Sequence, residues 1–457
     1  MREKEMRDLD TIFRAGLRRV DPYLMIHEHV HLDGSRLRID VENELFELDL
    51  ACFREVYILG AGKATAPMAR AMEDLLGSRL TAGLIVVKYG HTERLRIVET
   101  IEAGHPVPDQ NGFLGAQKLM ALAAKADSSS LVINLLSGGG SALLPYPGYF
   151  EKNGQAIRLT LADKQQTTQA LLASGAEIRE INCVRKHLSA IKGGRLLARI
   201  APARSFSFIL SDVVGDDLSS IASGLTVADP TTFAEAVEII KRYKIENAVP
   251  ARVWRYLEAG LAGEVPESLK EGAAVLELNT NVLLGTNRTA LHAAARQAEE
   301  LGYAVVRLTS RITGEAREVA KVLAAIAADA RQGLVSTAGP LCIISGGEPV
   351  VTIAGKGKGG RNQELALAFL REMERQPELY GDVTFLAAST DGNDGPTDAA
   401  GAFASLDLVA CCKDKHLDIA EFLGNNDSYH LFQVIDGLYR TGPTNTNVCD
   451  LHIVLIN

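Results

Sequence analysis

Four cations in this chain stand on glycine-rich turns that follow β-branched or apolar runs. Lys63 lies in Gly60-Ala61-Gly62-Lys63-Ala64-Thr65, and Lys356, Lys358 and Arg361 lie in Gly355-Lys356-Gly357-Lys358-Gly359-Gly360-Arg361. Glycine lets successive backbone N–H groups converge, and a helix that starts just beyond adds unpaired donors and a positive dipole end. Such a turn suits phosphate or carboxylate oxygens. A third turn, Ser137-Gly138-Gly139-Gly140-Ser141, has the same character without a cation. The expected anion-binding set is therefore Gly60, Gly62, Gly138, Gly139, Gly140, Ser141, Lys356, Gly357, Lys358, Gly359 and Gly360, with Lys63 and Arg361 over the transferring group. The competing reading of the 355–361 stretch is a solvated basic loop.

Two other turns carry clustered carboxylates: Ser211-Asp212-Val213-Val214-Gly215-Asp216-Asp217 and Ser389-Thr390-Asp391-Gly392-Asn393-Asp394-Gly395. Carboxylates beside a phosphate site suit Mg²⁺, which takes one or two of them together with phosphate oxygens. Cations, a divalent metal and a base near an acceptor hydroxyl are the parts of phosphoryl transfer. On this reading Asp391 and Asp394 hold the metal and Asp212 is the base. Asp in Gly-containing turns also makes Asx-turns and helix caps, the structural alternative for each of these residues.

The elements that must position these turns alternate. Strands are expected at Glu55–Leu59, Gly83–Val87, Leu131–Leu136, Ser205–Leu210, Val275–Glu277, Ala304–Leu308, Leu341–Ser345, Val350–Ile353, Val383–Ala388 and His452–Ile456. Helices are expected at Arg7–Val20, Ala66–Leu76, Ala162–Ser174, Ile181–Ile200, Thr231–Tyr243, Val249–Ala262, Arg288–Leu301, Glu315–Gln332 and from Asn362 onward. Alternation at this spacing gives α/β sheets covered on both faces, which bind ligands beyond the carboxyl ends of their strands. The division expected is two α/β layered domains, residues 1–270 and 275–457, with Gly263–Gly272 as linker.

Neither common nucleotide motif fits the Lys63 turn. A Walker loop needs Gly where Tyr57 stands and Ser or Thr where Ala64 stands. A dinucleotide fingerprint needs Gly at Thr65 and an acidic residue near the end of the next strand, where Lys88 stands. His27-Glu28-His29-Val30-His31 invites a metal reading, but no fourth ligand lies nearby, and solvated histidines on a linker are the expectation.

The 457 residues are too many for one ordinary core, and 47% hydrophobic with 23% charged residues describes a globular chain. A net charge of -9 and 5% aromatics argue against nucleic acid and anionic membranes as partners. No apolar run approaches a membrane span, the first ten residues do not resemble a signal peptide, and six cysteines lack CxxC spacing. A reduced, cytoplasmic protein is expected.

Nine ordered stretches also carry a resemblance: YILGAGKATAPMARAM, KYGH, EAGHPVPD, LLSGGGSALL, INCVRKHLSAIKGGRL, LSDVVGDDLSSIASG, SGGEPVVTIAGKGKGGRNQE, STDGNDGPTDAAGA and TGPTNTN. Together they resemble the MOFRL-type glycerate 2-kinases, a family whose members have also been labelled hydroxypyruvate reductases. The resemblance runs from about Thr11 to the end. It implies ATP-dependent phosphorylation of D-glycerate at the 2-hydroxyl. It further implies a larger Rossmann-like N-terminal domain, a smaller C-terminal MOFRL domain and an interdomain active-site cleft. Lys63 and Arg361 are the residues it marks as catalytically important. Leu225 and Ala228 replace two prolines of the family's pattern, and Pro349-Val350 replaces Thr-Thr; neither change touches the cationic turns. The alternatives are an NAD(P)H-dependent hydroxypyruvate reductase and a non-catalytic nucleotide or sugar-phosphate sensor. The assembly is left open, a homodimer included.

Overall fold

The computed structural model describes residues 2–41, 44–152, 154–333 and 339–457. The chain forms two units. The N-terminal unit comprises Pro22–Ser211 and Asp216–Leu284; the C-terminal unit comprises Met1–Asp21, Asp212–Gly215 and Gly285–Asn457.

The N-terminal unit is built on a six-stranded sheet. Its order is Asn279–Gly285, Arg204–Leu210, Ser130–Leu136, Glu55–Ala61, Ala82–Lys88, Val98–Ala103. The five strands from 204–210 to 98–103 pair in parallel. The three central strands are buried on both faces and read as near-continuous apolar runs, and Ser130–Leu136 is buried at every position. In chain order this is the 3-2-1-4-5-6 arrangement of a doubly wound sheet. Strand order reverses between Glu55–Ala61 and Ser130–Leu136, so the crevice at the switch point lies where Lys63 and Ser137–Ser141 follow those strands.

The C-terminal unit holds a second six-stranded sheet in the order Ala304–Arg307, Leu341–Gly347, Asp450–Ile456, Val383–Ser389, Gly401–Ser405, Leu438–Tyr439. Only its first pair is parallel. The helix Arg361–Arg375 lies on it with residues 362–370 all buried, and Phe369 stacks on Phe385 at 4.3 Å between ring centroids. That packing fixes where the helix begins.

The division falls differently from the expected 1–270 and 275–457. The helix Arg2–Arg19 belongs with the C-terminal unit. Its Phe13 packs edge-on to Tyr439 at 5.3 Å, Tyr439 donates to Asp10 at 2.7 Å, and Tyr303 donates to Asp8 at 2.8 Å. Leu9, Ile12 and Phe13 are fully buried, each worth roughly 1.5–3 kcal/mol. At the other boundary, Ala274–Leu278 is a 3-10 turn rather than a strand, and the following strand Asn279–Gly285 joins the first sheet. Residues 263–272 are no linker: Asp229 donates its N–H to Leu269 O at 2.7 Å, and Leu269 donates to Gly193 O at 2.9 Å.

Three further expectations fail. Ile181–Ile200 is not one helix but Ile178–His187 and Arg195–Ile200. Gly193 and Gly194 between them take φ of +60° and +75°, and a Cβ on Gly194 would stand 2.4 Å from Leu269 Cβ. Val350–Ile353 is not a strand; Val350 makes one isolated bridge to Glu315, and the Glu315 side chain takes the Thr352 N–H where a strand would stand. His27 and His29 end the helix Pro22–His29 and His31 sits on the strand Val30–Asp33, so this stretch is not a linker either. Among the described residues no helix is long and apolar enough to cross a membrane, and all six cysteines are unpaired.

Candidate active site

The Lys63 turn is built by close packing rather than by open amides. Gly62 sits at φ +148°, where a Cβ would lie 2.0 Å from Ser137 Oγ, so only glycine fits. The amides of this turn are taken inside the unit: Gly62 N–H by Val86 O, Lys63 N–H by Gly138 O and Ala64 N–H by Ser137 Oγ. Thus Gly60 and Gly62 let two strand ends approach and do not themselves cradle an anion. What the turn offers is the Lys63 ammonium, half-buried and without an ion-pair partner among the described residues.

The Ser137–Ser141 turn opens a helix of only one turn, Gly140–Leu143. Its importance lies in what surrounds it. His105 and Lys63 both stand against Gly139, at 3.0 and 3.4 Å from where a Cβ would be. Ser141 Oγ lies 2.7 Å from Ser223 Oγ and accepts from Arg185 Nη2 at 3.0 Å and Lys192 Nζ at 2.8 Å. His105 reports the resulting field: burial first, then Lys63 and Lys88, push its imidazole down to about 4. It is neutral at physiological pH. Expected here from the sequence was only a helix over Ile181–Ile200. Arg185, on the helix Ile178–His187, and Lys192, on the stretch between that helix and Arg195–Ile200, meet Ser141 across 44 and 51 positions, a long-range result that no local pattern carries.

The C-terminal unit holds both Arg361 and Asp212, and Arg361 stands in a setting other than the one expected. Arg361 donates Nε to Asp450 Oδ2 at 2.6 Å, Nη2 to Asp450 Oδ1 at 2.9 Å, and Nη1 to Glu348 Oε1 at 2.9 Å. Burial opposes the charge, but Asp450 and Glu348 outweigh it and hold the guanidinium above its ordinary value. Arg361 is therefore a paired cation, not the free one expected. Cys449 lies beside this cluster, its Sγ 3.2 Å from Asp212 O. Burial first, then Glu348, Asp450 and Asp212, push its thiol up, so the thiol stays protonated.

The 355–361 turn also differs from the open cradle expected. Asn426 Oδ1 takes the N–H of Ala354 and Gly355, Asn425 takes those of Lys356 and Gly357, and Asp427 Oδ1 takes that of Lys358. These contacts leave the N–H groups of Gly359, Gly360 and Arg361 as the turn's remaining donors. Lys358 Nζ rests 4.4 Å from the Tyr429 ring centroid, while Lys356 is exposed. Beside them opens a cavity of about 590 Å³ lined by Gly357, Gly359, Gly360, Arg361, Asp391 and Asp394 among others.

The two aspartates expected to hold a metal have different settings there. Asp394 is buried, with Oδ1 accepting from Asn362 N–H at 3.1 Å and Oδ2 from Gln363 N–H at 2.8 Å. It caps a helix whose own cap position, Gly360, has no side chain. Burial pushes its carboxyl up to about 6 against the pull of those amides. Asp391 closes an Asx-turn through Oδ1, which accepts from Ser389 Oγ and Asn393 N–H. Among the described residues no three His, Cys, Asp or Glu side chains are grouped to hold a metal.

Residues 8–258 match a family model described as a domain of unknown function (DUF4147), and residues 341–450 match the MOFRL family. The glycerate 2-kinase of Pyrococcus horikoshii is 38% identical over 442 residues, 96% of this chain and 95% of that protein. The solved structure of glycerate kinase from Thermotoga maritima superposes with a TM-score of 0.85 at 34% identity, covering 100% of both chains. A protein of Agrobacterium vitis, provisionally named a hydroxypyruvate reductase, is 41% identical over 87% of this chain and 86% of its own length. With its doubly wound sheet, its second mixed sheet and its full-length likeness to these relatives, this chain belongs to the MOFRL-type glycerate kinase family.

Proposed function

We propose that this chain is a cytoplasmic kinase that transfers the γ-phosphoryl group of ATP to the 2-hydroxyl of D-glycerate. The observation that carries the reading is Lys63: an ammonium without a counterion among the described residues, at the switch point of a doubly wound sheet, facing a second glycine turn. In the reaction the glycerate oxygen bonds to the γ-phosphorus, the bond from that phosphorus to the β,γ-bridging oxygen breaks, and ADP leaves. The hydroxyl proton passes to a carboxylate, for which Asp212 is assigned. Lys63 neutralises charge that spreads over the phosphoryl oxygens in the transition state.

Mg²⁺ supplies further neutralisation of the phosphates when bound. The donor set fits an ion carried in by the nucleotide, because Mg²⁺ needs only one or two carboxylates beside phosphate oxygens. Asp391 fits, since Oδ1 alone makes its turn contacts. Asp394 does not fit, because amides take both its oxygens. Asp391→Asn is therefore expected to raise the Mg²⁺ concentration needed for half-maximal rate about tenfold. Asp394→Asn should leave that titration unmoved and lower thermal stability by about 1 kcal/mol, the worth of a cap. A Mg²⁺ titration of Asp391→Asn that overlays the parent would leave Asp391 a turn device only.

The reductase reading needs an acidic ribose ligand near the end of the Ala82–Lys88 strand, and Lys88 stands there. ATP with D-glycerate is expected to feed enolase directly, as only 2-phosphoglycerate can. A signal that requires added phosphoglycerate mutase would move attack to the 3-hydroxyl. NADH or NADPH oxidation that depends on hydroxypyruvate, without ATP consumption, would overturn the kinase reading.

A further inference from the structure

Beyond Ser141 the N-terminal unit contains a cavity of about 610 Å³. Its floor carries Lys164, Arg185 and Lys192, and none of the three has a carboxylate in ion-pair range among the described residues. Lys192 is 1% exposed and its ammonium donates to Ser141 O and Oγ; Lys164 is 8% exposed and donates to Leu188 O at 3.2 Å. Neighbouring cations are treated otherwise. Lys186, for one, pairs with Asp229 at 2.5 Å. Lys186 is thus compensated, while on the cavity floor Lys164 and Lys192 are buried, and Arg185 half-buried, against neutral groups. Burying a charge without a counter-charge costs several kcal/mol, and an anion entering the cavity would recover part of that. Burial first, then Arg185 and Arg195, push the Lys164 ammonium down to about 7, and burial first, then Arg185 and Lys164, push that of Lys192 well below its ordinary value, so an entering anion would also hold both protonated.

The mouth has the opposite chemistry. Val107, Leu172 and Ile178 are 64%, 63% and 65% exposed and stand together at this one opening. Solvated apolar side chains over a cationic floor ask for an occupant with an apolar, flat body and a polyanionic tail. The volume lies in the range of drug-sized ligands, and a three-carbon acid would leave most of it empty. Resting on the kinase reading for its choice among polyanions, we propose that this cavity binds the nucleoside triphosphate. The polyphosphate lies over Arg185 and Lys192 toward Ser141 and Lys63, and the base lies against Val107, Leu172 and Ile178. This assigns the base to the N-terminal unit.

The test is equilibrium binding of ATP and of inorganic triphosphate to the full chain by calorimetry, without glycerate, alongside initial rates. Leu172→Ser/Ile178→Ser changes only exposed residues and is expected to weaken ATP about tenfold while leaving inorganic triphosphate unchanged. Lys192→Met is expected to weaken both at least tenfold. Arg185→Met, at a half-buried position, gives the same readout should the buried substitution fail to fold. ATP affinity unchanged in Leu172→Ser/Ile178→Ser and in Arg185→Met overturns the assignment. So does a set of variants in which only the KM for D-glycerate rises, since the acceptor would then be the occupant. If the parent makes 2-phosphoglycerate and these variants bind ATP normally, the cavity assignment fails and the kinase reading stands. If the parent binds ATP through these residues but makes no phosphoglycerate, the kinase reading fails and the nucleotide site stands.

Discussion

Replacing Lys63 with methionine should lower kcat for phosphoryl transfer about 10³-fold or more, with thermal unfolding shifted by less than about 1 kcal/mol. The two effects separate because the Lys63 side chain holds nothing together. Its backbone is fixed by Gly138 O and by the Gly62–Ser137 contact, which do not involve the ammonium. Its charge has no partner among the described residues, so removing it strands no buried carboxylate. What is lost is a cation placed where negative charge develops, in a crevice walled by a sheet end. Charge there acts at lower dielectric than in water and needs no reorganisation at the moment of reaction. Rates and melts on one preparation check this. Turnover within tenfold of the parent would remove Lys63 from the mechanism.

Arg361→Met should behave differently, losing activity together with the stability of the C-terminal unit. Asp450 is fully buried and receives two of the three Arg361 hydrogen bonds. Breaking such a pair from one side leaves a buried charge uncompensated, at a cost of about 3–5 kcal/mol. Arg361→Lys should recover only part of this, because one ammonium cannot meet both Asp450 oxygens and Glu348 at once. Arg361→Met/Asp450→Asn should melt higher than Arg361→Met while remaining inactive. Denaturant titration of the three variants reads the difference. An Arg361→Met protein that melts like the parent and is merely slow would return Arg361 to the role of a free cation.

This contrast locates a boundary between local and distant information. Strand–turn–helix starts at Lys63 and Ser137 were legible because β-branched or apolar runs and glycines act over fewer than ten residues. The helix start near 361 was legible for the same reason, and it falls at Arg361. Yet the strand expected just before it did not form. Side chains of Glu315 and Asn426, 37 and 72 positions away from the amides they bind, take the place of a neighbouring strand. The aspartates of the 391–398 turn were legible as a cluster. Which of them is spent on the helix depended on Asn362 and Gln363, 32 and 31 positions away from Asp394.

The sequence by itself determined the α/β class, the alternation of elements, the glycine turns at strand ends, and, through nine ordered stretches, the family. Each of these is written in short-range pattern, where the period of apolar residues and the freedom of glycine act directly. Only the tertiary structure decided which cations are spent and which remain available. Asp450 reaches Arg361 across 89 positions, Lys192 reaches Ser141 across 51, and Asp229 reaches Lys186 across 43. Pairing is a property of distance in space. A lysine or arginine has the same pattern in sequence whether or not the fold brings a carboxylate to it, so the charge left for a ligand emerged only when the sheets were assembled.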